Sequence, residues 1–206
     1  MSPLDASTSD SLARTLREAS QQLLDWQRAA LQEPQPPAAD PLAAAAALQA
    51  FFHRLGPATA TERERAGWSH CIQVLLASSA LPPQRPLQAG CLGSCAHDLA
   101  ALLRPPTLAL DEAEELDLAV RYWEQARKAG WLDEDLDADF GEFWRRVDWC
   151  ALAQHLSLLG AGPHPDEARL AAYIAKTASR YAQLSPLKRL TEQVWPQLFD
   201  LSFTLR

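Results

Sequence analysis

Apolar residues recur at helical spacing along almost the whole chain, and short proline-rich segments interrupt the pattern. No segment shows convincing strand alternation before the last residues, LFDLSFTLR. The pattern predicts an all-α fold of about eight helices. Capping residues and first-turn prolines place the helix starts at Asp10 or Ser11, Pro41, Thr61, Ser94 or Cys95, Asp111, Phe140, Asp166 and Pro186.

The same pattern predicts the domain organisation. Residues 1–9 are expected to form a flexible N-terminus, residues 10–195 a single helical domain, and residues 196–206 a C-terminal tail. The segment EPQPPAADP is expected to break the first helix from the second. Thr61 followed by Glu64 has the spacing of a capping box, which predicts the start of the third helix.

The most informative helix is predicted over residues 140–160, FGEFWRRVDWCALAQHLSLLG, because its second half is apolar on nearly all sides. Asp148 and His155 share one stripe of this helix, roughly 10 Å apart along its axis. Together with Trp144 and Arg145 they have the composition of a ligand-binding wall. The alternative is structural: Asp148 would bond to Arg145 one turn back, and His155 to a nearby carbonyl.

Composition and charge narrow the function classes. The 206 residues suit one generous domain or two small ones, and a formal net charge of -7 argues against nucleic acid or an anionic membrane surface as partner. The N-terminus, MSPLDASTSD, lacks the regions of a signal peptide, and no stretch has the roughly 18 apolar residues of a membrane span. A cytoplasmic protein is expected, with its four cysteines as free thiols.

Two clusters of residues could in principle bind a metal ion, but the spacing of neither cluster matches a common metal-binding motif. Asp133, Asp135 and Asp137 match the first ligands of an EF-hand loop, but the sixth position is Ala138 and the twelfth is Trp144. We therefore interpret this loop as a solvated acidic run that favours a helix N-terminus.

The second cluster is the C-x3-C-x-H arrangement of Cys91, Cys95 and His97, with His70 and Cys71 as possible contributors. Its thiols are separated by three residues rather than by the two of common zinc knuckles. No metal is expected. The sequence also lacks G-x-G-x-x-G, G-x-x-x-x-G-K-[ST] and G-x-S-x-G motifs, so no cofactor, nucleotide site or serine hydrolase centre is expected.

The successive segments AVRYWEQARKAG, DFGEFWRRVDWCALAQHLSLLG and RLAAYIAKTASRYAQLSPLKRL resemble the C-terminal lobe of aminoglycoside-phosphotransferase-like kinases. The resemblance is strongest to the anomeric kinases of N-acetylmuramate and N-acetylglucosamine. SLARTLREASQQLLDWQ is similar to the helix after the hinge in that family. LGSCAHDLAALLR is similar to its G-P-x-x-Y-D-L-x-x-L-L segment, which places Asp98 on the family's structural aspartate. The resemblance covers about residues 10–190.

Departures from the family pattern bear on catalysis. The family has a β-rich N-terminal lobe with a phosphate-contacting lysine, whereas this sequence begins directly at the helices of the C-terminal lobe. The family's H-x-D-x-x-x-x-N loop and D-F-x-D strand are expected where this chain has LPPQRPLQAGCLGSC, which contains no Asp, Glu, His or Asn. The family's R-H-L-K cluster corresponds to Gln154, His155, Leu156 and Ser157, which keep only the histidine.

The resemblance and these departures predict a degenerate phosphotransferase-like lobe without catalytic residues, acting as an interaction or ligand-binding module. A homodimer or a protein partner is expected on the surface that faces the N-terminal lobe in the family. Two alternatives stay open at this point. One is a fragment of an amino-sugar kinase that needs a partner chain for ATP binding, and the other is an unrelated helical adaptor.

Overall fold

A computed structural model describes residues 3–30, 41–78, 94–107 and 110–199, with side chains described except for residues 3–13, 30 and 41, and most of this backbone is helical. The α-helices are α1 (Pro3–Ala30), α2 (Pro41–Leu55), α3 (Glu62–Ala77), α4 (Cys95–Leu103), α5 (Glu112–Lys128), α6 (Glu134–Ala138), α7 (Phe140–Ala161), α8 (Glu167–Arg180) and α9 (Ser185–Val194). Short 3-10 helices span Ala182–Leu184 and Pro196–Phe199. Within the described ranges there is no strand, so the predicted all-α class is confirmed.

Local signals in the sequence placed several helix ends correctly. Helix α2 begins at the predicted Pro41. At the start of α3, the Thr61 hydroxyl accepts a hydrogen bond from the Glu64 backbone N–H, and the Glu64 carboxylate accepts one from the Thr61 N–H at 2.7 Å. The predicted capping box is therefore confirmed. Asp111 precedes α5 as predicted, but its side chain makes no capping hydrogen bond.

Two predictions about helix extent were wrong. Helix α1 begins at Pro3 rather than near Asp10, so it includes most of the range predicted as a flexible N-terminus. Proline is well tolerated in a first helical turn, where its missing N–H would have no helical partner. The acidic loop also contains α6, which was not predicted. Its buried residue Leu136 uses its carbonyl to accept a 2.7 Å hydrogen bond from the indole Nε1–H of Trp123.

The chain forms two compact units, each built from segments that are distant in sequence. The first comprises residues 1–37 and 85–147, and the second comprises residues 38–84 and 148–206. The single helical domain over residues 10–195 stays a prediction.

The first unit is built on α1, which packs against α4 and α5. Its core is aliphatic and aromatic, because each of these helices turns its apolar stripe inward. The fully buried residues include Leu23, Leu99, Leu103, Tyr122, Phe143 and Val147. Polar groups enter this core on α1, α4 and α5, and they form the first part of the site described below.

In the second unit α2 packs on α3, α3 on α9, and α8 on α9. Its core includes Phe51, Leu75, Leu152, Leu156, Leu159, Ile174 and Leu187. Close approach depends on glycine at the end of α7. A Cβ atom added to Gly160 would lie 2.7 Å from the backbone nitrogen of Phe51 and 3.0 Å from the carbonyl oxygen of Ala47, so the α2 backbone occupies the space of a side chain.

No helix in the described part of the chain is long and apolar enough to cross a membrane. The loop LPPQRPLQAGCLGSC lies outside the described residues except for its last two positions, and so does the tail after Phe199.

Candidate functional site

Asp98 lies in the core of the first unit, at the centre of a small polar cluster. It is 1% exposed and accepts a 3.0 Å hydrogen bond at Oδ2 from the side-chain amide of Gln27 in α1. The ring nitrogen Nδ1 of His97 lies 3.3 Å from its other carboxylate oxygen. Asp98 is therefore placed to fix α4 against α1, and its buried carboxylate is oriented by neighbouring donors.

The carbonyl oxygen of the Gln27 side chain contacts the two remaining members of this cluster, Tyr122 and Cys95. It accepts a hydrogen bond from the phenol of Tyr122 in α5 and one from the thiol of Cys95, with a sulfur-to-oxygen distance of 3.8 Å. Burial raises the pKa of Cys95 to about 11, and it also raises the pKa of Tyr122 well above its ordinary value. Both groups are neutral donors at physiological pH, as their contacts with the Gln27 oxygen require.

A buried ion pair lies beside Trp144 in the same unit. Arg104, 4% exposed, contacts Glu115 with an Nη2–Oε2 distance of 3.1 Å, and its guanidinium carbon lies 4.7 Å from the centroid of the Trp144 ring. The ring of Phe140 also stacks on Trp144, with ring centroids 6.3 Å apart. Trp144 is thus held in a cation–π and aromatic stack. Its sequence neighbour Arg145 pairs with Glu142, one turn earlier on α7.

Asp148 belongs to the second unit and is completely buried. Its Oδ2 atom accepts a 2.7 Å hydrogen bond from Arg180 Nη1 and a 2.6 Å hydrogen bond from the Tyr181 hydroxyl. Burial, and after it the charge of Asp148, raises the pKa of Tyr181 above its ordinary value, so this phenol stays protonated as the donor. Both of these donors come from the end of α8. A bond between Asp148 and Arg145 stays a prediction.

His155, 1% exposed, lies on the same stripe of α7 as predicted. Its ring is 5.2 Å from the ring of Tyr173 in α8. Seven residues along α7 separate Asp148 from His155, and seven residues in the opposite direction along α8 separate Arg180 from Tyr173. The two helices therefore run antiparallel, and this stripe of α7 faces α8.

Arg54 connects α2 with the end of α7. Its guanidinium donates to the carbonyl oxygens of Leu159 and Gly162, the second at 2.9 Å, and it lies 3.4 Å from the carboxylate of Glu167. The last carbonyl groups of a helix carry partial negative charge and lack helical partners, which favours a cation at this position. Arg54 therefore binds the turn between α7 and α8.

The four predicted site residues fall in both units, since Trp144 and Arg145 precede the boundary in α7 and Asp148 and His155 follow it. Each one contacts side chains of its own unit. A ligand site formed by these residues stays a prediction.

Metal ligation finds no support in the described residues, where no three His, Cys, Asp or Glu side chains come together. Cys91, one member of the suggested thiol cluster, lies outside the described part of the chain. Cys71, Cys95 and Cys150 are free thiols. Burial raises the pKa of Cys71 to about 11, so at neutral pH this sulfur is a protonated thiol rather than a thiolate ligand or nucleophile.

Sequence reasoning missed the residues that organise these clusters. Gln27 and Glu115 lie on helices whose polar residues the hydrophobic pattern assigns to solvent, and Arg104 directly follows the end of α4. Arg54 carried one usable signal, because it is a cation in the last turn of a helix. Its actual contacts are with a different helix end, which no local pattern indicates.

Comparison with known proteins shows that this all-α chain is related in sequence to a sugar kinase. The chain is 30% identical over 145 residues to the N-acetylmuramate/N-acetylglucosamine kinase of Neisseria meningitidis serogroup B (strain ATCC BAA-335 / MC58). The aligned segment covers 65% of this chain and 42% of that kinase, so the chain spans less than half the length of the relative it matches. No protein-family model and no solved structure matches the chain.

Proposed function

We propose that the chain is the helical, C-terminal-lobe-like part of an aminoglycoside-phosphotransferase-like kinase fold, and that it binds a ligand or partner without transferring phosphate itself. The observation that carries the proposal is the composition of LPPQRPLQAGCLGSC. The resemblance places the catalytic loop in this segment, and the segment has no side chain that could act as the base or hold magnesium through a carboxylate, imidazole or carboxamide. Phosphoryl transfer depends on such positioned groups and metal ions.

The buried acidic groups support a scaffold role. Asp98 is hydrogen-bonded to Gln27, and Asp148 to Arg180 and Tyr181, inside their respective units. A catalytic carboxylate has to reach a substrate hydroxyl or a metal ion. Both of these carboxylates instead join helices, which fits a lobe whose framework persists while the catalytic loop has changed.

The test is an activity and binding assay on the purified chain. We expect no sugar phosphate from N-acetylmuramate or N-acetylglucosamine with ATP and magnesium, and no change in tryptophan fluorescence when ATP and magnesium are added. The Neisseria kinase serves as the positive control under identical conditions. Kinase activity that co-elutes with this chain through successive columns, measured as sugar phosphate formed, would overturn the proposal. Saturable ATP binding in the micromolar range would overturn it as well.

A second candidate is an amino-sugar kinase fragment that works with a separate chain carrying the ATP site. The sequence identity to a protein named as a kinase favours it, and the same identity counts against an unrelated helical adaptor. Co-expression with the products of neighbouring reading frames tests it. A stable complex that phosphorylates an amino sugar would support this candidate, and the absence of both complex and product would exclude it.

The expectation of a homodimer belongs to this proposal as well. Light scattering on the purified chain tests it directly. A mass of twice the chain supports self-association, whereas a monomer at all concentrations removes it.

A further inference from the structure

A cleft of about 510 Å³ lies in the second unit, between α2 and α3. Its volume is in the range of small-molecule sites. None of the four predicted site residues lines it. The lining residues are Gln49, Phe52, His53, Gly56, Pro57, Ala58, Arg65, Trp68, Ser69 and Ile72.

The lining residues follow one face of each helix. Positions 49, 52, 53 and 56 recur at helical spacing along α2 and its end, and positions 65, 68, 69 and 72 do the same on α3. The cleft is therefore bounded by one stripe of each helix and, at Gly56, Pro57 and Ala58, by the turn that joins them. Of these side chains Phe52 is buried and Trp68 is half-buried, so the packing of the helix pair holds the two rings in place.

Aromatic rings form the apolar part of the cleft. Phe52 is buried and stacks on Trp68, with ring centroids 5.7 Å apart and an interplanar angle of 19°. Gly56 makes room for the indole, since a Cβ atom at this position would lie 2.7 Å from Cη2 of Trp68. Trp68 is half-buried, and the remainder of its side chain is accessible in the cleft.

The polar part of the cleft carries the guanidinium of Arg65 and no carboxylate. Arg65 and His53 are exposed lining residues, and no Asp or Glu lines the cleft, although the chain has 26 acidic residues against 19 Lys and Arg. Among the described residues no ion pair involves Arg65 or His53. An arginine in this setting has donors available for a ligand carboxylate or phosphate.

We propose that this cleft binds a small organic anion with a planar aromatic body, such as an aryl carboxylate. The aromatic body packs against Trp68, the anionic group accepts hydrogen bonds from the guanidinium of Arg65, and Gln49 and Ser69 supply further polar contacts. This binding is independent of the proposed lack of phosphoryl transfer.

The experiment uses 2-naphthoate as the probe and 2-naphthamide as its neutral counterpart. Each is titrated into the 15N-labelled full chain while amide and indole NMR signals are followed. We expect 2-naphthoate to bind with a Kd of about 1 mM or tighter, and to shift the indole signal of Trp68 and the amide signals of Gly56 and Ser69. We expect 2-naphthamide to bind at least about tenfold more weakly, since it lacks the charge that Arg65 recognises.

Matched variants separate this site from general charge effects. R65Q is expected to weaken 2-naphthoate binding about tenfold and to leave 2-naphthamide unchanged. R63Q removes the same charge from the same helix outside the cleft, and is expected to bind like the natural chain. Equal binding of the two probes, equal losses in R65Q and R63Q, or shifts confined to other parts of the chain would overturn the proposal. Thermal melts of both variants verify that they are folded.

Discussion

Gln27 in α1 donates a 3.0 Å hydrogen bond to the buried carboxylate of Asp98 in α4, across 71 positions of sequence. The oxygen of the same amide accepts from Tyr122, so one side chain links three helices of the first unit. Each end of the amide is matched to its partner, because the nitrogen can only donate and the oxygen can only accept.

Replacing Gln27 with leucine removes both the donor to Asp98 and the acceptor for Tyr122. We expect Gln27→Leu to lower the free energy of unfolding by about 2–4 kcal/mol, because Asp98 loses a donor and Tyr122 an acceptor in a buried setting. Urea denaturation followed by circular dichroism measures the change. Gln22→Leu, at an exposed position of the same helix, is the control and should change stability by no more than about 0.5 kcal/mol. Equal effects from the two variants would contradict a structural role for the amide.

The buried pair of Arg104 and Glu115 gives a second prediction. Removing one partner leaves a charge in the core, so Arg104→Met and Glu115→Leu should each cost about 3–5 kcal/mol. The double variant should be less destabilised than the sum of the two changes, since no buried charge then remains. A double-mutant cycle in urea measures the coupling, and strictly additive losses would refute it.

The close approach of the α2 backbone to Gly160 predicts a steric clash when a side chain is added at this position. Gly160→Ala should lower stability by about 1–3 kcal/mol, because the new methyl group would meet the backbone of α2. Gly141→Ala is the matched control near the start of the same helix. There the nearest atom is Oδ1 of the exposed Asp139 side chain at 3.1 Å, which accepts a hydrogen bond from the Gly141 N–H and needs to shift only slightly, and alanine favours a helix over glycine. The idea fails if the alanine at 160 is as well tolerated as the one at 141.

The buried thiols predict a loss of stability in alkaline solution. Burial raises the pKa of Cys71 and of Cys95 from 9.0 to about 11, so above pH 9 the unfolded chain loses these protons while the folded chain keeps them. Their contribution to stability is complete below pH 9 and is lost as the pH rises towards 11. The slope approaches about 1.4 kcal/mol per pH unit for each thiol.

Urea denaturation at pH 8, 9 and 10 measures this slope. Cys95→Ala should reduce it, and the additional change Cys71→Ala should reduce it further, whatever each variant does to stability at pH 8. An unchanged slope in the double variant would show that groups other than these two thiols cause the loss of stability between pH 8 and pH 10. Tyr181, whose pKa is also raised, contributes only above its ordinary value of about 10.

Sequence patterns predicted what depends on neighbours along the chain. The Thr61 capping box and the first-turn proline at Pro41 involve residues within one turn of each other, so their chemistry is legible in the sequence. Helix α6 escaped detection because its five residues are too few to show a helical period.

The pairing of buried polar groups could not be predicted in the same way. The structure gives Asp148 two donors from the end of another helix, Arg180 and Tyr181, which lie 32 and 33 positions further along the chain. Arg145 itself pairs with Glu142. Partner choice depends on which helix faces the stripe, and this is a property of the packing rather than of the helix alone.

The antiparallel pairing of α7 and α8 has a consequence for how the chain can change in length. One extra residue within α8 between Tyr173 and Arg180 would rotate everything after it by roughly 100° about the helix axis. Tyr173 would stay beside His155, while Arg180 and Tyr181 would turn away from Asp148. The two contacts therefore fix the number of residues in α8 between Tyr173 and Arg180. An insertion can be accommodated only outside this interval.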